Sequence, residues 1–281
     1  MKNWIYYLMT FCVLLTGSQF SAYADDDDSE SFGLRFSAEA DYKIMKGMHV
    51  YVSDELRLLG GSDLVDRNYA EVGFSYKFND HLKAAVSYTA ISVFKTEVTM
   101  PDTEVITTNW TEWRHRVTGD VTGSFKLGQW RFSLRERIQG TYKMRELNNL
   151  QQPQMGWVLR SRLKVAYKFR VVALEPYAYF EPRLCLNGAE WSQEAEGPDF
   201  EDAVFLGHKD VYFNRYRGAV GLEWKLNKRN SLDVYCLYDY LYDKDIDARK
   251  EGSLKGQVLK APVTSVTGTR VSIGLGYKYS F

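Results

Sequence analysis

Beyond its first sixteen residues the sequence contains no long apolar run, which excludes a helical membrane protein, whose spans need about 20 such residues. Net charge is also missing, since 36 Lys and Arg balance 36 Asp and Glu, so nothing points to a nucleic-acid partner. Cysteine is sparse: Cys12 falls in the N-terminal apolar segment, leaving Cys185 and Cys236 inside apparent strands. A disulfide between them is possible, but spacing alone does not bring them together. No Cys/His cluster has metal-ligand spacing, so no metal is expected, and no other cofactor is either; no G-x-S-x-G run marks a nucleophilic serine. Proline is scarce as well, at six residues, whereas aromatics are abundant: Tyr, Phe and Trp make up 15% of the chain, with twenty tyrosines.

What is present begins with an export signal. Met1, Lys2 and Asn3 give a short positive start, and Trp4 to Thr16 is almost wholly apolar. Gly17, Ser18 and Ser21 then lead to Ala22-Tyr23-Ala24, an A-x-A site with cleavage expected after Ala24. The apolar stretch is too short to cross a bilayer as a helix. A lipoprotein would carry Cys directly after the cleavage site, and Asp25 stands there. Residues 25–31 read as an acidic periplasmic lead, and 32–281 as one folded unit.

That unit is written in period two. Val271, Ile273, Leu275, Tyr277, Tyr279 and Phe281 alternate with Arg270, Ser272, Gly274, Gly276, Lys278 and Ser280. The same pattern runs through Phe32 to Lys43, Tyr69 to Phe78, Trp130 to Gln139, Trp157 to Phe169, Arg215 to Lys225 and Leu232 to Asp243. Many of these segments exceed the 5–6 residues usual in soluble sheets and reach the 9–11 needed to cross a bilayer. Aromatics gather at their ends, as interfacial girdles do. The expected fold is all-β: a single transmembrane antiparallel β-barrel in the outer membrane, in contact with its lipids. The closing Tyr277, Tyr279 and Phe281 resemble the C-terminal signal read by barrel-assembly machinery.

Connections alternate in length too. Short turns fall at Lys46-Gly47, Asn79-Asp80, Leu127-Gly128, Arg170-Val171 and Asn227 to Asn230. Longer polar ones fall near Gly60 to Asp66, Pro101 to Glu104, Glu146 to Gln154, Glu190 to Lys209 and Lys244 to Gly268. Short turns belong to the periplasmic side and long loops to the exterior. A direct count gives eleven strands. Because bacterial barrels use even numbers, twelve is the preferred expectation and ten the second.

Several runs together resemble a known family: Leu56-Arg57-Leu58, Ser133-Leu134-Arg135-Glu136-Arg137, Leu159-Arg160-Ser161-Arg162-Leu163, Glu175 to Glu181 and Asn214 to Leu222. In order and spacing they are similar to a family of Gram-negative outer-membrane proteins catalogued only as a domain of unknown function. The resemblance spans nearly the whole mature chain. It implies a single β-barrel and brings no activity, cofactor or catalytic residue with it.

Strand parity turns one set of charges inward. On the basic side stand Arg57, Arg114, Arg116, Arg135 and Arg137, followed by Arg160, Arg162, Arg183, Arg215 and Arg217. Facing them are Glu39, Glu55, Glu71, Glu112, Glu175, Glu181, Asp233 and Asp239. One reading is a ladder of Arg–Glu pairs filling a narrow barrel. The other is a basic constriction for a small anionic solute. The cluster Arg135, Arg137, Arg160, Arg162, Arg215 and Arg217 is where basic charge is expected to exceed its local acids. Two further readings are weighed: a surface partner docking on the long loops, and a lipid-modifying enzyme. For the latter, His115 falls on the lipid side and Ser133 on the inward side, so that pair fails as base and nucleophile. The acids Glu190 to Asp202 lack EF-hand spacing and read as a solvated loop.

Overall fold

The computed structural model describes residues 30–59, 65–99, 106–144, 153–192, 204–246 and 263–281. The signal segment, cleavage at Ala24 and nearly all of the acidic lead lie outside them. The described chain is a closed barrel of eleven strands: β1 (Glu30–Met45), β2 (Met48–Leu59), β3 (Val65–Lys77), β4 (Leu82–Thr99), β5 (Ile106–Leu127), β6 (Trp130–Lys143), β7 (Met155–Tyr167), β8 (Leu174–Ser192), β9 (Val204–Lys225), β10 (Asn230–Ile246) and β11 (Val263–Ser280). Each pairs antiparallel with the next in sequence.

Eleven is the number the alternation counts directly, and the adjustment to twelve or ten is corrected by the closure. An odd count makes the first and last strands run the same way. β1 and β11 accordingly pair in parallel, from Glu30 opposite Thr269 to Asp41 opposite Ser280. Small residues line the inner side of this seam: Gly33, Ser272, Gly274 and Gly276 are all buried.

Gly274 also lies under the ring of Tyr235, its register partner on β10. A Cβ at that position would come within 2.0 Å of the ring. Tyr51 covers Gly73, and Tyr177 covers Gly221, in the same cross-strand manner. Each ring thus lies flat along the inner wall because its partner has no side chain. Gly274→Ala is expected to lose about 1–3 kcal/mol by overpacking in urea unfolding of the refolded barrel. Gly218→Ala, where an added methyl meets nothing within 4 Å, should stay within about 0.5 kcal/mol.

Two glycines serve turns. Gly47 (φ +84°) and Gly128 (φ +62°) supply the positive φ that two-residue hairpins require. In other short turns an asparagine takes over: Asn79 Oδ1 accepts from the backbone N–H groups of His81 and Leu82, both at 2.8 Å. Asn227 Oδ1 does the same for Arg229 and Asn230, at 2.8 and 2.9 Å.

Burial is inverted relative to a water-soluble protein. Glu112, Glu181 and Asp239 are 1–2% exposed, while Val52, Leu134, Leu163, Val220 and Val234 are 50–56% exposed on the outer face. Aromatic rings border this apolar belt. At the short-turn end, Trp130, Tyr167 and Phe169 touch in series, as do Tyr279, Phe281 and Tyr42. Toward the long-loop end, Phe180, Phe213 and Tyr240 surround Tyr216. Two acids interrupt the belt, each hydrogen-bonded from the next strand. Glu136 accepts from Ser161 Oγ at 2.5 Å, and Asp54 from Asn68 Nδ2 at 3.3 Å.

The two longest connections are shorter than the sequence implies. β8 and β9 stay paired up to Ser192 and Val204, and β10 and β11 up to Ile246 and Val263. These hairpins continue beyond the segments in which the sequence alternates apolar with polar residues, which is why the sequence reads as loop there. Residues 193–203 and 247–262 lie outside the described residues.

Candidate functional site: the charged lumen

The inner wall is built by parity, because successive side chains on a strand point to opposite faces. At the short-turn end it encloses a cavity of about 320 Å³, lined by Glu39, Asp41, Tyr51, Glu71, Lys83, Asp120, Arg135, Arg137 and Lys278 among others. Most of its charges are paired across the wall. Lys278 Nζ donates to Glu39 at 2.6 Å and to Asp41 at 3.1 Å, and Asp41 also meets His49 Nδ1 at 2.7 Å. Tyr51 donates to Glu71 at 2.9 Å, and Arg137 forks onto Asp120 at 2.5 and 2.6 Å. Beside the cavity, Glu175 holds Arg131 and, at 3.2 Å, Lys225, while Asp233 accepts from Tyr177 at 2.9 Å.

At mid-depth the wall converges on one carboxylate. Glu181 on β8 is 2% exposed and accepts from Arg160 Nε at 3.0 Å, Arg162 Nε at 2.5 Å and Arg135 Nη2 at 3.4 Å. Arg217 on β9 approaches it to 3.8 Å and forks onto Asp239 at 2.7 and 3.0 Å. Asp239 in turn meets Arg35 from β1 at 3.6 Å. One connected network therefore joins β6, β7, β8, β9, β10 and β1.

Toward the long loops, Glu55 takes Arg57 at 2.5 Å, and Arg57 also sits 4.1 Å over the Tyr69 ring. Glu112 is forked by Arg114 at 2.6 and 2.8 Å, and Arg116 donates to Thr141 at 2.9 Å. Arg183 stands in register between Arg160 and Arg215. Arg35, Asp120, Arg131 and Lys278 belong to the same lumen although the sequence reading did not single them out as site residues. Their parity was readable, as in Asp120, four residues after Arg116 on β5.

Other candidates separate. His115 lies on the outer face, where Nδ1 meets Tyr88 Oη at 2.5 Å and Nε2 lies 3.2 Å from Met144 Sδ. Ser133 lies on the lumen side between Arg131 and Arg135, so the wall stands between the two. Cys185 is opposite Tyr212 of β9, and Cys236 opposite Val220 of the same strand. Eight residues along β9 amount to about 26 Å, far beyond the roughly 7 Å Cα reach of a disulfide. They are not paired with each other.

A family described as a protein of unknown function (DUF2490) matches residues 32–250. No curated protein matches the chain. Among solved structures, the chain is similar to in-vitro folded OmpT, an outer membrane protein of Vibrio cholerae, with 15% identity and a TM-score of 0.33. That likeness covers 83% of this chain and 63% of the other. The ferric-catecholate import receptor Fiu from K12 E. coli, in its closed form, gives 11% identity and a TM-score of 0.24, covering 90% of this chain and 48% of the receptor.

Proposed function

The chain belongs to the DUF2490 family, whose function is unknown, and from its own geometry we propose an outer-membrane β-barrel that acts as a structural barrel with a braced, at most narrow, lumen. Placement in the outer membrane is supported by the exposed apolar belt between aromatic borders and by the N-terminal export signal. In this reading the outer face contacts lipid, and the terminal Tyr277, Tyr279 and Phe281 are what assembly machinery engages.

The observation that carries the lumen's role is Glu181, gripped by arginines from three other strands at mid-depth. Eleven strands enclose more room than eight, whose interior side chains just fill, and far less than the sixteen of an open porin. Long paired side chains crossing that intermediate space leave no porin-sized path.

Planar-bilayer recording of the refolded mature protein tests this. Silence is expected from the wild type, and Arg160→Ala with Arg162→Ala is expected to open measurable steps by clearing two long side chains from the network. Steady porin-like conductance in the wild type would overturn the braced lumen. A narrow anion path is the second reading, favoured by the arginine excess at mid-depth; it requires small wild-type steps with an anion-selective reversal potential.

A further inference from the structure

The lumen arginines form two rows with different logic. In one, Glu181, Arg217, Asp239 and Arg270 are successive register partners across β8, β9, β10 and β11, so the signs alternate. One level toward the long loops, Arg137, Arg160, Arg183 and Arg215 are successive partners across β6, β7, β8 and β9. Four like charges stand side by side there, about 4.8 Å apart from strand to strand. Directly opposed like charges destabilise a sheet. A wall built only for bracing would alternate in both rows.

The local balance points the same way. Arg135, Arg137, Arg160, Arg162 and Arg217 draw on three carboxylates, Glu181, Asp120 and Asp239. Arg215 adds a sixth positive charge, and its Nε, like that of Arg135, is buried without a hydrogen-bond partner. A buried donor left in that state has lost its water without gaining a partner, a deficit that ligand oxygens would remove. The guanidinium fork suits bidentate binding of phosphoryl oxygens. Arg135 and Arg137 line the 320 Å³ cavity directly, which gives a small solute access to the cluster from the short-turn side.

We propose that this arginine cluster is a binding site for a small, multiply charged phosphoryl anion. The site rests on the lumen geometry and does not require conduction. Calorimetric titration of the refolded mature protein with inorganic pyrophosphate, at constant ionic strength, is expected to show saturable binding. Arg215→Gln should weaken it about tenfold, as expected for losing one charge-assisted contact. Glu181→Gln removes a competing carboxylate while keeping its shape, and should tighten binding. Heat-modifiable electrophoretic mobility reports that each variant remains a folded barrel. No binding by the folded wild type at millimolar pyrophosphate, equal affinity in Arg215→Gln, or weaker binding in Glu181→Gln would overturn the site. Binding by a barrel that also conducts would sink the closed-lumen reading and leave the anion site standing.

Discussion

Glu181→Ala is expected to destabilise the refolded barrel by about 3–5 kcal/mol, because it leaves neighbouring buried charges uncompensated. Arg135, Arg160 and Arg162 hydrogen-bond to this carboxylate, and Arg217 lies 3.8 Å away with Asp239 as its second anchor. Removing the anion leaves like charges from three strands, β6, β7 and β9, facing one another where water is limited. Glu39 gives the contrast. It is more than a third exposed, and its partner Lys278 keeps Asp41 at 3.1 Å, so Glu39→Ala should cost no more than about 1 kcal/mol. Equilibrium urea unfolding in one detergent compares the two directly. An unchanged midpoint for Glu181→Ala would mean that the arginines are held by the strands alone and that the network braces nothing. Pyrophosphate should partly restore the lost stability, since a ligand that binds only the folded state stabilises it by mass action.

The face of each charge was legible in the sequence; its partner was not. Period two assigns Arg160, Arg162 and Glu181 to the lumen without any coordinates, because a half-turn separates neighbours along a strand. Which carboxylate meets which arginine depends on cross-strand register. Arg135 and Glu181 are 46 residues apart, and their contact follows from how far β6, β7 and β8 slide against one another. The alternation also marks strand ends only where one face meets a different medium from the other. Along β11 it persists through Ser280 to Phe281, up to the aromatic border of the belt. Near His208-Lys209-Asp210 it fails although β9 continues, because both faces are polar there. The step from eleven strands to twelve imposed an even number on a count that the residues themselves had given, and the parallel β1–β11 seam shows how the odd number closes. The tyrosine-over-glycine pairs were invisible for the same reason as the ion pairs. Gly73, Gly221 and Gly274 look like breaks in the strand until register places a ring over each.

Val220→Arg is expected to cost about 2–4 kcal/mol when the barrel is folded into lipid, the penalty for arginine at the midplane of a barrel's lipid face. Val220 is 50% exposed on β9, flanked along the same face by Tyr216 and Trp224 and in register with Ala178 and Cys236. Eight residues separate the two aromatics, about 26 Å of strand or roughly 20 Å of height once tilted, which places Val220 well inside an apolar belt about 25 Å tall. Were this face wetted, an arginine at a half-exposed strand position would change stability by no more than about 0.5 kcal/mol. The two environments therefore predict effects differing several-fold at one residue. Val171→Arg supplies the reference: Val171 is 95% exposed in the short turn between β7 and β8, where added charge meets water in either case. Urea unfolding of both variants in phospholipid vesicles gives the comparison. A penalty confined to Val220→Arg places the belt in hydrocarbon. Equal, near-zero effects would mean that water or another protein covers this face, and the outer-membrane placement would fall with it.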